Sequence, residues 1–304
     1  MERINNLETL VQLFMRVAAV SGIHVGTTRQ TYRALPYSTS GMLNWRNPVE
    51  IQTLPIPPFA RIGAIGDGNC MLHSILLCLS PTYRTLDYDG RQFIADVWRQ
   101  ALIARIEGLK DQADILYAEI GGWGALEESF NRLPTPGHTK RRELDIEMAP
   151  LITRLYGHNC LAIQIHPTSL TLAPVELTFR GFDPTLPTVL INYLGGSTNA
   201  GAAGASSFFT SGHYEPVIAA VFSRKATTSS SEVRHRATLA AESAAVAAAK
   251  AAKKPLPRVT RRRLKGPLYI LDDTYTQYTV SGDDLEPVLH MFRAAAAASA
   301  AYIN

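Results

Sequence analysis

The feature that most constrains the fold is a tight turn, Gly66-Asp-Gly-Asn69, that opens directly into a largely apolar run, Cys70-Met-Leu-His-Ser-Ile-Leu-Leu-Cys78-Leu79. A run of this length after turn residues predicts a short helix buried inside the molecule. The strand-like Arg61-Ile-Gly-Ala-Ile65 precedes it, so the local order is strand, tight loop, buried helix. Such a helix must be covered by neighbouring elements. With 304 residues, 46% of them hydrophobic, the chain can supply that cover, and it is neither a disordered polymer, a collagen nor a disulfide-stapled miniprotein.

The neighbours are read from periodicity. Leu7, Leu10, Val11, Phe14, Val17 and Ala18 have the spacing of one helix face within Asn6 to Val20. Residues 21 to 49 are polar and irregular, and the compact part is expected to begin near Leu54. Helices are predicted over Leu86 to Leu109 and Glu143 to Tyr156, then strands at Cys160 to Ile165, Val175 to Phe179, Thr188 to Leu194 and His213 to Phe222. Helices followed by a run of strands point to an α/β or α+β architecture, a small sheet packed by helices. The Gly-, Ala- and Ser-rich stretch Gly195 to Ser207 predicts a mobile loop. A strand-like stretch, Tyr269 to Val280, and an Ala-rich helix after Asp283-Asp284 close the chain.

Net charge is +4, which invites a nucleic-acid partner only if it is spread over a folded face. It is not. Residues 223 to 265 hold 12 Lys/Arg and two acids, a net of +10, while residues 1 to 222 sum to −2 and 266 to 304 to −4. The basic segment is low in complexity and Ala-rich, a linker with a marginal helix. The predicted organisation is therefore an N-terminal extension (1–53), a catalytic domain (54–222), a basic linker (223–265) and a C-terminal segment (266–304). The clusters in 250–265 resemble a nuclear localisation signal or a polyanion-binding patch. Three cysteines in an odd set favour a reducing, cytoplasmic compartment, and no apolar stretch has the length of a membrane span or the form of a signal peptide.

Cys70 stands where the turn becomes a helix. Unpaired N–H groups and the positive dipole end at a helix start stabilise a thiolate. The amides of the Asp67 to Cys70 turn point where an oxyanion would form on an attacked carbonyl. A cysteine nucleophile needs a base, and the base needs a group to hold its ring. In His213-Tyr-Glu-Pro-Val-Ile218, residues two apart share a strand face, so Glu215 is placed to orient His213. Pro216 suggests a strand at a sheet edge or a strand start.

Together, Gly66-Asp-Gly-Asn-Cys70-Met-Leu-His-Ser-Ile75 and His213-Tyr-Glu-Pro-Val217 resemble the catalytic cysteine and histidine motifs of the ovarian-tumour (OTU) family of deubiquitinating cysteine proteases. Trp123-Gly124 and the 144–156 stretch with the following strand are similar to the elements between them, and the resemblance spans roughly residues 54 to 222. It implies a papain-like fold and cleavage of isopeptide or peptide bonds after the C-terminus of ubiquitin or a ubiquitin-like modifier, with no cofactor. Cys70 would be the nucleophile and His213 the base. Asp67 resembles the residue that starts the cysteine loop and whose amide helps form the oxyanion hole. Glu215 falls where the family commonly has Asn or Asp. Glu is one methylene longer and must fold back to reach the ring; otherwise another polar group, Asp67 among them, takes the role. Ubiquitin or polyubiquitin chains are the partners implied, and the slightly acidic 1–222 region suits a basic ubiquitin tail.

Other residues have plainer readings. His73, one turn after Cys70, is structural; Cys78, Cys160 and Trp123 are core; no cysteine or histidine pair has zinc-ligand spacing. Two alternatives remain open: a catalytically weak or inactive OTU-like ubiquitin-binding module with a basic tail, and a nucleic-acid-binding protein on a scaffold. The −2 charge of residues 1 to 222 opposes the latter, leaving nucleic acid to the basic linker.

Overall fold

A computed structural model describes residues 5–35, 37, 41–56, 58–131, 144–165, 171–195, 212–220, 268–269, 271 and 276–303. The expected 223–265 linker and the body of the 195–207 loop lie outside the described residues.

The chain is a mixed α/β protein built on one sheet. Its strands are β1 (Tyr32–Leu35), β2 (Val49–Thr53), β3 (Phe59–Ile62), β4 (Asn159–Ile165), β5 (Leu172–Pro174), β6 (Thr188–Leu194), β7 (His213–Ala220), β8 (Leu268–Tyr269) and β9 (Thr276–Gln277). The order across the sheet is β5-β4-β6-β7-β3-β2-β1-β8, and β9 pairs with β7 beyond the end of β6. β4 with β6 and β1 with β2 are parallel; the other pairs are antiparallel.

Side chains alternate across β7. Tyr214 belongs to a core shared with helices α1 (Leu7–Val20), α2 (Cys70–Leu79), α4 (Tyr88–Ile103), α5 (Ile106–Leu116), α6 (Gly122–Asn131) and α7 (Met148–Arg154), whereas Val217 and Ala219 face the opposite core. A short helix α3 (Pro81–Arg84) follows α2. The second core is closed by Leu285 and, from the start of helix α8 (Glu286–Ile303), by Val288, Leu289 and Phe292. As its apolar composition requires, α2 is buried from Cys70 through Cys78. Among the described residues no helix is long and apolar enough to cross a membrane.

Several expectations need correction. The sheet is larger than a small one and crosses the expected boundary at residue 54, because β1 arises from the polar 21–49 stretch and β2 from its last residue and those just after it. Val175 to Phe179 is not a strand: Glu176–Phe179 forms a 3-10 turn, fixed by the Thr178 hydroxyl, which donates to the Val175 carbonyl and accepts from the Ala162 amide. The long 86–109 helix breaks after Ile103, where Arg105 turns to donate to the Leu155 carbonyl and to cover the Tyr156 ring. The helix expected over 143–156 is confined to Met148–Arg154. β7 is not an edge strand, since β6 and β3 flank it. Pro216 is tolerated because the β3 ladder ends at the Arg61–Val217 pair, so residues 213–216 run past it with a neighbour on the β6 side only.

Candidate active site

The overhang of β7 and the start of α2 meet at the same end of the sheet. Gly63 to Ile65 carries the chain off β3 into the turn, where Gly68 takes φ 89°, a left-handed conformation suited to glycine. The Asp67 carboxylate accepts from the Asn69 amide at 2.9 Å, closing an Asx turn. Asn69 occupies the N-cap of α2 without capping it. Its side chain is used elsewhere: Nδ2 donates to Asp96 at 2.7 Å and Oδ1 accepts from Arg99 at 3.0 Å. The first-turn amides of α2 thus receive no side-chain cap from Asn69, and Cys70 is the first residue of that turn. One amide of the expected oxyanion turn, that of Asn69, is already committed to Asp67.

Cys70 Sγ lies 3.9 Å from the carbonyl oxygen of Gly212, the residue before His213. The imidazole stands beside the cysteine loop, since a Cβ on Gly66 would sit 3.6 Å from its Nδ1 and Cε1. The same Cβ would lie 3.4 Å from Met42 Sδ, so the exposed Met42 side chain flanks the loop as well. His213 Nε2 is turned toward Glu215, 3.8 Å from Oε1, within ion-pair range but too long for a hydrogen bond. Burial, with the nearby His73 and Arg61, pulls the His213 pKa down to about 4, against Asp67. The ring is neutral at neutral pH, the form able to take a proton.

Glu215 is fully buried and its oxygens are both in use. Oε1 accepts from the Leu43 amide at 2.7 Å and Oε2 from Arg61 Nη1 at 2.9 Å. Burial raises its pKa to about 7 in spite of these donors. Arg61, also fully buried, donates from Nε to Gln52 Oε1 at 2.8 Å and from Nη2 to the Gly41 carbonyl at 2.9 Å. The strap 41–45, expected to be irregular and uninformative, therefore lies over the ion pair that supports the histidine. Gly63 permits the approach, because a Cβ there would come within 2.4 Å of the Asn44 carbonyl oxygen.

Asp67 does not orient His213. Besides the Asn69 amide it accepts from Gln92 at 3.2 Å and pairs with His73 Nε2 at 3.0 Å. Burial alone would raise its pKa, but His73 and these donors hold it at about 2. A carboxylate only accepts, so Nε2 of His73 carries a proton and Nδ1 bonds the Tyr83 hydroxyl. With both nitrogens engaged, His73 is a support of the loop, as expected. Cys78 and Cys160 are buried, with thiol pKa values pushed up by desolvation, Cys78 to about 12. Trp123 packs edge-on to Phe130 in the core. The cavity walled by the stacked Trp45 and Tyr88 rings reaches the cysteine loop only through Ile65 and includes neither Cys70 nor His213. Among the described residues no group of three or more His, Cys, Asp or Glu is placed to hold a metal.

Sequence reasoning missed Arg61, Leu43, Asn69 and Arg99. Arg61 left a trace: a charge inside a wholly buried strand demands an opposite charge, and Glu215 lies inside another apolar strand. The class defined by fold and site is thus a mixed α/β protein with a cysteine at a helix start and a neutral histidine beside it. No protein-family model matches the chain, and no curated protein and no solved structure matches it either.

Proposed function

We propose that the chain is a cysteine-type deubiquitinase with a papain-like fold of the OTU kind, cleaving peptide or isopeptide bonds after the C-terminus of ubiquitin or a ubiquitin-like modifier. The observation that carries this reading is the placement of Cys70 at the uncapped start of α2, its sulfur 3.9 Å from the residue that leads into His213. The OTU-like sequence motifs supply the substrate class.

His213 takes the Cys70 proton, and the thiolate attacks the carbonyl carbon of the terminal glycine. Amides of the cysteine turn and the first turn of α2 face the oxyanion. As the tetrahedral intermediate collapses, the amine leaves with the proton returned by His213, and a thioester remains on Cys70. Water, deprotonated by His213, hydrolyses the thioester, releasing the carboxylate and restoring the thiol. The imidazolium formed in each half-reaction is stabilised by the Glu215 carboxylate.

A ubiquitin probe with a C-terminal electrophile tests the reading. Covalent labelling of the wild type and none of Cys70→Ala is the expected result; a wild type that stays unlabelled at high enzyme concentration overturns it. Labelling with a ubiquitin-like probe alone would move the substrate to that modifier. A panel of diubiquitins then reads linkage preference.

A further inference from the structure

Two buried polar groups at the site have no hydrogen-bond partner. One is His213 Nε2; the other is Asn192, fully buried on β6 with both its amide oxygen and its amide nitrogen unpaired. Asn192 is directly opposite Glu215 in the antiparallel ladder, and His213 is opposite Leu194. Paired residues and residues two apart project to one face, so Asn192, Glu215 and His213 share it. His213 is the diagonal neighbour of Asn192, a separation of roughly 7–8 Å between backbones that two side chains of this size can bridge.

Glu215 is poorly placed to donate order to the ring by itself. Its two oxygens are held by Leu43 and Arg61, and the strap and β3 fix them there. A polar group left buried and unpaired carries an uncompensated desolvation cost. Two such groups stand on neighbouring strands beside the same carboxylate, each with hydrogen-bonding capacity that the other can meet.

We propose that Asn192 is the positioning residue for His213: its Oδ1 accepts the Nε2–H of the ring when the imidazolium forms, while Glu215 supplies the compensating charge. Nε2 then stays protonated, and Nδ1, the nitrogen beside Gly66, is left to exchange the proton with the thiol. The reading of Cys70 and His213 as a reacting pair underlies this inference. Apart from burial, the charged and titratable groups that face the ring are His73, Arg61, Asp67 and Glu215, all of them retained when Asn192 is replaced, so a displaced profile reports the lost Asn192 contact.

The test is Asn192→Leu, which keeps the branching at Cγ and removes both polar atoms, alongside Asn192→Ala. The pH dependence of Cys70 alkylation by iodoacetamide and the kcat and KM for a fluorogenic ubiquitin substrate are measured with the thermal midpoint. Positioning predicts a midpoint equal to or above wild type, since an unpaired amide has been removed. It also predicts a kcat about 10- to 100-fold lower, an unchanged KM and an alkylation profile displaced to higher pH. Wild-type alkylation and kcat in a stably folded Asn192→Leu overturn the inference. So does a loss of activity that merely follows a loss of stability in both variants. Alkylation does not involve ubiquitin, so a wild type that turns over no ubiquitin substrate removes the deubiquitinase reading while the displaced profile still supports Asn192.

Discussion

The two carboxylates of the site show how differently the same group can be held. Asp67, in a surface turn, collects a backbone amide, Gln92 and His73, and its pKa falls to about 2. Glu215, inside the sheet, has the Leu43 amide and the Arg61 guanidinium, and its pKa still rises to about 7 because burial outweighs them. The number of donors decides the first case and depth the second. The consequences for stability have opposite sign. Asp67 contributes stability that is present above its unfolded value near 3.8 and lost as pH falls through about 2. Glu215 binds its proton more tightly when folded, so its contribution is present below 4.5 and lost as pH rises through about 7.

The sharpest way to break the comparison is Glu215→Ala. It strands the Arg61 guanidinium, fully buried, without its counter-charge, and a broken buried pair of this kind costs about 3–5 kcal/mol. Turnover should fall by orders of magnitude as well. Chemical denaturation reads the first effect and kcat the second, and Glu215→Gln, which removes the charge but keeps the shape, separates charge from packing in both. A Glu215→Ala protein as stable as wild type would show that the pair is not a structural element.

Gly63→Ala attacks the same side through the backbone. The new Cβ would stand 2.4 Å from the Asn44 carbonyl oxygen, so the strap must move, and Leu43 with it. Overpacking against a backbone atom costs about 1–3 kcal/mol, and the upper end is expected here. Alkylation of Cys70 should shift in parallel, because Leu43 fixes Glu215 Oε1. A destabilised protein with an unaltered alkylation profile would separate the strap from the histidine.

On the cysteine side, Asp67→Asn should cost about 2 kcal/mol at neutral pH, the worth of a pKa drop from 3.8 to about 2. The variant should also lose the acid limb of the wild-type stability curve between pH 4 and 2. Urea midpoints across that range check both. An unchanged limb would show that His73 and Gln92 contribute shape and not charge.

Much of the cysteine side was legible in the sequence because it is local. Turn, glycines, cysteine and buried helix are contiguous from Gly66 to Leu79, and periodicity reports contiguous structure. The histidine side depends on pairing between distant segments. Arg61 and Glu215 are 154 residues apart and Leu43 and Glu215 172, and no local pattern announces a strap that crosses a sheet. Asn192 was hidden in an apolar strand for the same reason: its significance lies in the register with Glu215. The edge placement of β7 failed because Pro216 reports a missing ladder partner, which here is local to the overhang and not a property of the strand.

The smallest effect is expected from Gly68→Ala, which tests whether the cysteine turn is as tightly specified as its hydrogen bonds suggest. Gly68 sits at φ 89°, and an L-residue there pays about 1–2 kcal/mol. Its carbonyl also accepts from Arg99 at 3.3 Å, and Arg99 holds Asn69. If the strain is absorbed by global stability, denaturation shows a loss of about 1 kcal/mol and the Cys70 alkylation profile stays put. If the turn relaxes instead, Asn69 loses its hold on Arg99 and can swing to cap α2, competing with Cys70 for the first-turn amides. Alkylation would then slow at neutral pH with little change in stability. The first outcome is expected, because Asp67, Asp96 and Arg99 grip the turn at separate points; the second would make the cysteine side the softer half of the site and reverse the comparison.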